Sequence, residues 1–167
     1  MIANRERWYL DACVITRYLE NHSDSDDIEK VMNQARIGAA QIIASTIMLV
    51  EVSRSPGKPI EPAKLAKITA FYQNDYLTLV DLHQLLAEAS FKLIVDYSWL
   101  RPMDAVHLAT AIDRNCTAFF TYDSDILGRF DGEHNLQVLR PGDPVRSDQD
   151  LSDYPMFADL GFEGEPV

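Results

Sequence analysis

The chain has 167 residues, 47% of them hydrophobic, which suits one globular domain with a substantial core. No apolar stretch is long enough to span a bilayer, and the formal charge of −11 argues against a broadly basic nucleic-acid groove. The start of the sequence lacks the apolar core of a secretion signal, so cytoplasmic residence is expected, and Cys13 and Cys116, without metal-ligand or redox spacing, read as reduced core residues.

Trp8-Tyr-Leu-Asp11 is a short apolar run ending in an acid, and Ala12 to Glu20 reads as a helix, so Asp11 is predicted at the carboxyl end of a strand. From His22 to Arg36, Ser and Asp caps precede a helical pattern. Its acids, Asp24 to Glu29, fit a helix opening that complements the dipole better than a metal loop. Gln41 to Val52 is apolar around Glu51, with Ser45 or Thr46 able to cap a helix beginning there. A carboxylate among apolar neighbours is costly unless it is paired, hydrogen-bonded or bound to metal, so Glu51 requires a partner.

Ser55-Pro-Gly-Lys-Pro breaks the pattern, and Glu61-Pro62 opens a helix running to about Gln73. Tyr76 to Val80 reads as a strand and Asp81 to Tyr97 as a helix. The helix holding Asp104 follows. Ala118-Phe-Phe-Thr121 is a strand that enters a turn with Asp123 and Asp125, and Leu136 to Leu139 is the last strand. This alternation predicts an α/β domain with a mainly parallel sheet covered on both faces. Pro141-Gly-Asp-Pro144 ends the periodicity, giving a domain over residues 1–140 and an acidic C-terminal extension over 141–167. Tyr154, Met156, Phe157, Leu160 and Phe162 either dock on the body or a partner, or belong to a mobile tail; both readings stand.

In open α/β sheets, sites form outside the carboxyl ends of the strands. If the runs ending at Asp11 and Thr121 are neighbouring parallel strands, Asp11, Asp104 and Asp123 converge, with Glu51 entering from its helix. Taken alone, Asp104 is equally an ordinary helix cap. Ionised carboxylates brought together repel until a pKa rises or a cation binds, and oxygen-only ligands favour Mg²⁺ or Mn²⁺ over zinc. The charge distribution permits an RNA substrate. The extension holds seven acids against Arg146 alone, and the first 140 residues carry 19 acids and 14 basic residues. Setting aside Asp11, Glu51, Asp104, Asp123 and Asp125 leaves that body neutral. Arg17, Lys58, Lys92 and Arg101 are conceivable phosphate contacts, although each reads first as solvated surface. His107 reads as a packed, hydrogen-bonded histidine in preference to a general base, and His22, His83 and His134 lack evident partners.

Tyr9-Leu-Asp11, Leu49-Val-Glu51-Val, Asp104-Ala-Val-His-Leu-Ala-Thr-Ala and Thr121-x-Asp123 occur in an order that resembles the PIN domain, over about residues 8–140. The likeness is greatest to the VapC-like ribonuclease toxins of type II toxin-antitoxin modules. It implies a three-layer α/β/α fold and an acidic quartet, Asp11, Glu51, Asp104 and Asp123, that binds Mg²⁺ or Mn²⁺. Asp125 matches an acid that some members also have, and Thr121 matches a hydroxyl residue that orients the site. The implied activity is metal-dependent hydrolysis of RNA phosphodiesters. The implied partners are a second copy of the chain and an antitoxin whose helical segment fills an apolar groove. The acidic extension departs from the compact toxin pattern. Two rival readings are a PIN-like domain that binds RNA or protein without cutting it, and a housekeeping RNA-processing nuclease. A haloacid-dehalogenase nucleophile motif is absent, because Ala12-Cys13 follows Asp11, and a receiver domain would need paired early acids and a late strand-borne lysine.

Overall fold

The computed structural model describes residues 5–23, 25–53, 57 and 59–146. Asp24, most of the Ser55-Pro-Gly-Lys-Pro breaker, Lys58 and the extension beyond Arg146 lie outside the described residues. Strands β1 (Glu6–Leu10), β2 (Ala40–Ser45), β3 (Leu77–Val80), β4 (Ala118–Phe120) and β5 (Gln137–Leu139) form one sheet in the order β3-β2-β1-β4-β5. Every pairing is parallel, as the alternation of elements requires. Trp8 pairs with Ala118 and Leu10 with Phe120, so β1 and β4 are the neighbours expected from the acids that follow them.

Successive strand side chains point to opposite faces, and both faces here are apolar. Trp8, Leu10, Ile42, Ala44 and Phe120 pack on one side with residues of α1 (Ala12–Leu19), α2 (Ser25–Arg36), α3 (Met48–Ser53) and α4 (Pro62–Tyr72). Tyr9, Ile43, Val80, Phe119 and Val138 pack on the other with residues of α5 (Gln84–Asp96), α6 (Pro102–Asp113) and α7 (Ser124–Arg129). The result is a three-layer α/β/α domain. No described helix is long and apolar enough to cross a membrane.

Two boundaries differ from the sequence expectation for identifiable reasons. Ser45 does not open a helix, because it remains paired with Val80 in the sheet and the Thr46 amide donates to the Val80 carbonyl at 2.9 Å. The helix carrying Glu51 therefore starts at Met48. Helix α5 begins at Gln84, after His83, whose Nδ1 accepts from the Leu86 amide at 3.3 Å and caps the helix. His83 thus has the partner that sequence did not reveal, and His134 stacks on Phe130 with ring centroids 5.8 Å apart. Past β5 the chain stays on the body through Arg146, whose amide donates to Gln137 Oε1 at 2.7 Å and whose guanidinium donates to Asp131 Oδ1 at 2.7 Å.

Candidate active site

The chain runs outward from β1 through β2 to β3, then crosses to lay β4 and β5 on the other side of β1. That reversal leaves a crevice at the carboxyl ends of β1 and β4, the place where open parallel sheets build sites. Asp11 follows β1 directly and caps α1, its Oδ1 accepting from the Ala12 amide at 2.7 Å. Its own amide donates to the Phe120 carbonyl at 3.0 Å, so the backbone of this acid is fastened to β4. Oδ2 accepts from Thr121 Oγ1 at 2.6 Å and from Cys13 Sγ at 3.2 Å. Thr121 is fully buried and also accepts from the Asp123 amide at 3.0 Å. Asp123 in turn caps α7, with Oδ1 accepting from the amides of Asp125 and Ile126 at 2.8 and 3.3 Å.

Asp104 sits in the first turn of α6, behind Pro102, where a missing amide costs little and a carboxylate suits the helix dipole. Arg101 precedes that turn. Its Nε donates to Asp104 Oδ2 at 2.8 Å and its Nη2 donates to Asp123 Oδ2, so one guanidinium bridges two site acids. Glu51 reaches in from α3, and its Oε2 accepts from His107 Nε2 at 2.6 Å. Asp11, Glu51, Asp104 and Asp123 together line a cleft of about 580 Å³, which also takes in Cys13, Arg17, Arg101 and Tyr122. Arg17 lies over the Tyr122 ring, 4.4 Å from its centroid.

The predicted quartet is thus brought to one cleft, with Thr121 behind it. Asp125 is placed elsewhere: its side chain is 64% exposed and faces Arg129 at 3.6 Å, and it does not line the cleft. Two placements go beyond the sequence reading. Arg101 is on the solvated surface as expected, its side chain 66% exposed, and there it also engages two acids. Cys13 is only half-buried and belongs to the edge of the site, although Cys116 is a buried core residue as expected. The spacing Arg101-x-x-Asp104 was the available signal for the first of these, since residues three apart share a helix face.

Burial raises the carboxyl of Asp104 above the ordinary range, and the charges of Asp11 and Asp123 add to the rise while Arg101 opposes it. Burial also acts most strongly on His107, pulling it down. The Glu51 hydrogen bond and the fields of Asp11, Glu51 and Asp104 outweigh that, so the ring's pKa stands above its usual value. The Cys13 thiol is pushed up to about 12, first by burial and then by Asp11. Among the described residues no three His, Cys, Asp or Glu side chains are gathered tightly enough to hold an ion as they stand. The donor set nevertheless fits a hard divalent cation. Four carboxylates share one cleft, the environment penalises their charge at Asp104, and a guanidinium already sits between two of them in the role of counter-cation.

Comparison with solved structures places the fold beside three toxin-antitoxin proteins. VapBC2 from Rickettsia felis, solved bound to a DNA fragment from its promoter, superposes with a TM-score of 0.60 at 19% identity, over 80% of this chain and 98% of that one. A toxin-antitoxin complex from Klebsiella pneumoniae gives 0.57 at 18% identity, over 80% and 96%. VapC20 of Mycobacterium tuberculosis, a toxin that cleaves the sarcin-ricin loop, gives 0.56 at 14% identity, over 71% and 91%. No curated protein matches significantly by sequence. The sequence profile of the PIN domain covers residues 8–133 and so spans every residue that builds the cleft; the chain belongs to the PIN domain family.

Proposed function

We propose that this protein is a Mg²⁺- or Mn²⁺-dependent endoribonuclease and the toxin of a type II toxin-antitoxin module. The observation that carries the reading is the convergence of Asp11, Glu51, Asp104 and Asp123 on one cleft at the β1/β4 switch point. Membership of the PIN domain family and a fold like that of the VapC proteins support it.

In this reading Asp11, Asp104 and Asp123 hold the metal, and Glu51 joins them directly or through water. Bound there, Mg²⁺ or Mn²⁺ would supply charge stabilisation at the phosphate and would make a water easier to deprotonate for attack. The chain's own groups prepare that site. Thr121, Cys13 and the Ala12 amide leave Asp11 one orientation. Arg101, whose side chain is 66% exposed, and Arg17 bring positive charge to the cleft, where an RNA phosphate would otherwise meet only acids. Protein nucleophiles are poorly suited to the task. The Cys13 thiol, pushed up to about 12, stays protonated at neutral pH, and the Thr121 hydroxyl is buried and committed to Asp11. Attack by water follows.

An antitoxin is the expected protein partner. What supports it is the likeness of the fold to that of proteins solved as toxin-antitoxin complexes. A homodimer belongs to the same proposal.

The test is cleavage of RNA by the purified protein with Mg²⁺, with Mn²⁺ and with EDTA, beside Asp11→Asn and Asp104→Asn. Metal-dependent cleavage lost in both variants is expected. Cleavage that survives EDTA, or full activity in both variants, overturns the assignment, and binding of RNA without cleavage favours the non-cleaving alternative.

A further inference from the structure

His107 is 1% exposed and is not among the residues that line the cleft, yet its ring ends on one of the site acids. The ring is fixed from behind. Tyr9 stacks on Phe119 with ring centroids 5.0 Å apart and planes within 1°, and its hydroxyl accepts from the Ser45 amide at 2.9 Å. The same hydroxyl lies 2.7 Å from His107 Nδ1. A tyrosine hydroxyl carries its proton at neutral pH, and with the Ser45 amide already donating to its oxygen it can donate that proton to Nδ1. Nε2 then carries a hydrogen and donates to Glu51 Oε2, and it does so equally in the imidazolium state. Among the described residues Glu51 Oε1 has no hydrogen-bond partner.

Glu51 needs such an anchor. It rides on a helix of six residues, too short to hold itself, and a glutamate side chain loses much rotamer entropy when it is fixed. Asp11 and Asp123 are held as helix caps and Asp104 by Arg101. Glu51 is held only by His107 among the described residues. Helix α6 therefore serves the site twice from one face, with Asp104 directly and with His107, three residues on, through Glu51.

We infer that Tyr9 and His107 form a buried positioning relay that pins Oε2 of Glu51 and leaves Oε1 for the divalent cation. This inference rests on the nuclease reading of the same cleft.

The experiment is calorimetric titration of the full chain with Mn²⁺, with RNA cleavage measured in parallel, for His107→Leu, His107→Gln and Tyr9→Phe. Gln replaces the Nε2–H donor, whereas Leu fills the space without one. His107→Leu should weaken Mn²⁺ binding about tenfold, as loss of a partner behind a metal ligand does. His107→Gln should stay within about threefold of wild type, and Tyr9→Phe should fall between them. In a Glu51→Gln background His107→Leu should cost under about twofold more, because the relay has lost the carboxylate it holds.

A His107→Leu protein that binds Mn²⁺ like wild type, or a His107→Gln protein as impaired as His107→Leu, overturns the relay. If His107→Leu does not fold, Tyr9→Phe decides: Mn²⁺ binding weaker than wild type supports the relay, and binding equal to wild type overturns it. A wild-type protein that takes up no Mn²⁺ and cuts no RNA overturns the nuclease reading together with the relay. Intact wild-type binding and cleavage with no effect of His107→Leu overturns the relay alone.

Discussion

Thr121 Oγ1 donates to Asp11 Oδ2 across 2.6 Å, joining the ends of two adjacent strands that are 110 residues apart in the chain. The bond is buried, so it acts where water cannot replace it, and it decides which way the first acid of the cleft is turned.

Thr121→Val keeps the shape and removes the donor. It should weaken Mn²⁺ binding about 10- to 100-fold and destabilise the fold by about 1–3 kcal/mol, whereas Thr121→Ser should stay near wild type. Metal titration and thermal unfolding of the two variants check this. A Val variant that binds metal normally would show that Asp11 does not depend on the hydroxyl.

If Asp104 and Asp123 hold a metal, Arg101 competes with it for their oxygens. Arg101→Gln should bind Mn²⁺ about threefold to tenfold tighter, since no fixed cation then has to leave Asp104 and Asp123. The same variant should bind single-stranded RNA more weakly, because the cleft loses a positive group. Unchanged metal affinity by calorimetry counts against the competition.

Mg²⁺ or Mn²⁺ should raise the melting temperature of wild type and not of Asp11→Asn or Asp104→Asn. At a metal concentration one hundred times Kd the gain is about 2.7 kcal/mol. Differential scanning with and without EDTA measures it, and an equal shift in all three proteins would place the ion somewhere else.

Asp123→Asn should lose cleavage with the other site acids, while Asp125→Asn should retain most of it. The carboxylate of Asp125 is exposed, pairs with Arg129 and lies off the cleft. Comparable losses in both variants would bring Asp125 back among the ligands.

Alkaline stability carries the mark of the buried thiol. Burial pushes Cys116 from an ordinary value of 9.0 up to about 12, so the folded state keeps this proton more tightly than the unfolded chain. Its contribution is complete below the unfolded pKa and is lost as the pH rises through the folded one, a change on the order of a few kcal/mol. Cys116→Ala should therefore flatten the fall in stability between about pH 9 and 12 in denaturant titrations. Parallel curves for the two proteins would refute it.

Much of the architecture is legible in the residue order. The alternation of short apolar runs with helical patterns sets a parallel sheet covered on both faces, and the acids stand just after the runs or at helix starts. Those are local signals, carried by side-chain period, caps and proline placement. The start of α3 was missed because Ser45 has the chemistry of a cap but is held by its pairing with Val80, a contact across 35 positions of sequence. The contacts of Arg101 and Cys13 with site acids are not legible for a related reason: an arginine before a helix and a cysteine in an apolar run look the same whether or not an acid lies opposite.

The sequence by itself determined the inventory and order of the acids, the type of sheet and the family. Only the tertiary structure decided which of those acids meet. Convergence depends on the strand order that makes β1 and β4 neighbours and on which oxygen each neighbour takes. Thus Asp123 turns one oxygen to the α7 amides and the other to Arg101, Asp125 two residues later turns to Arg129, and Glu51 is tied to a histidine 56 positions away. Hydrogen-bond reach is a few ångströms, and separation along a chain does not encode it.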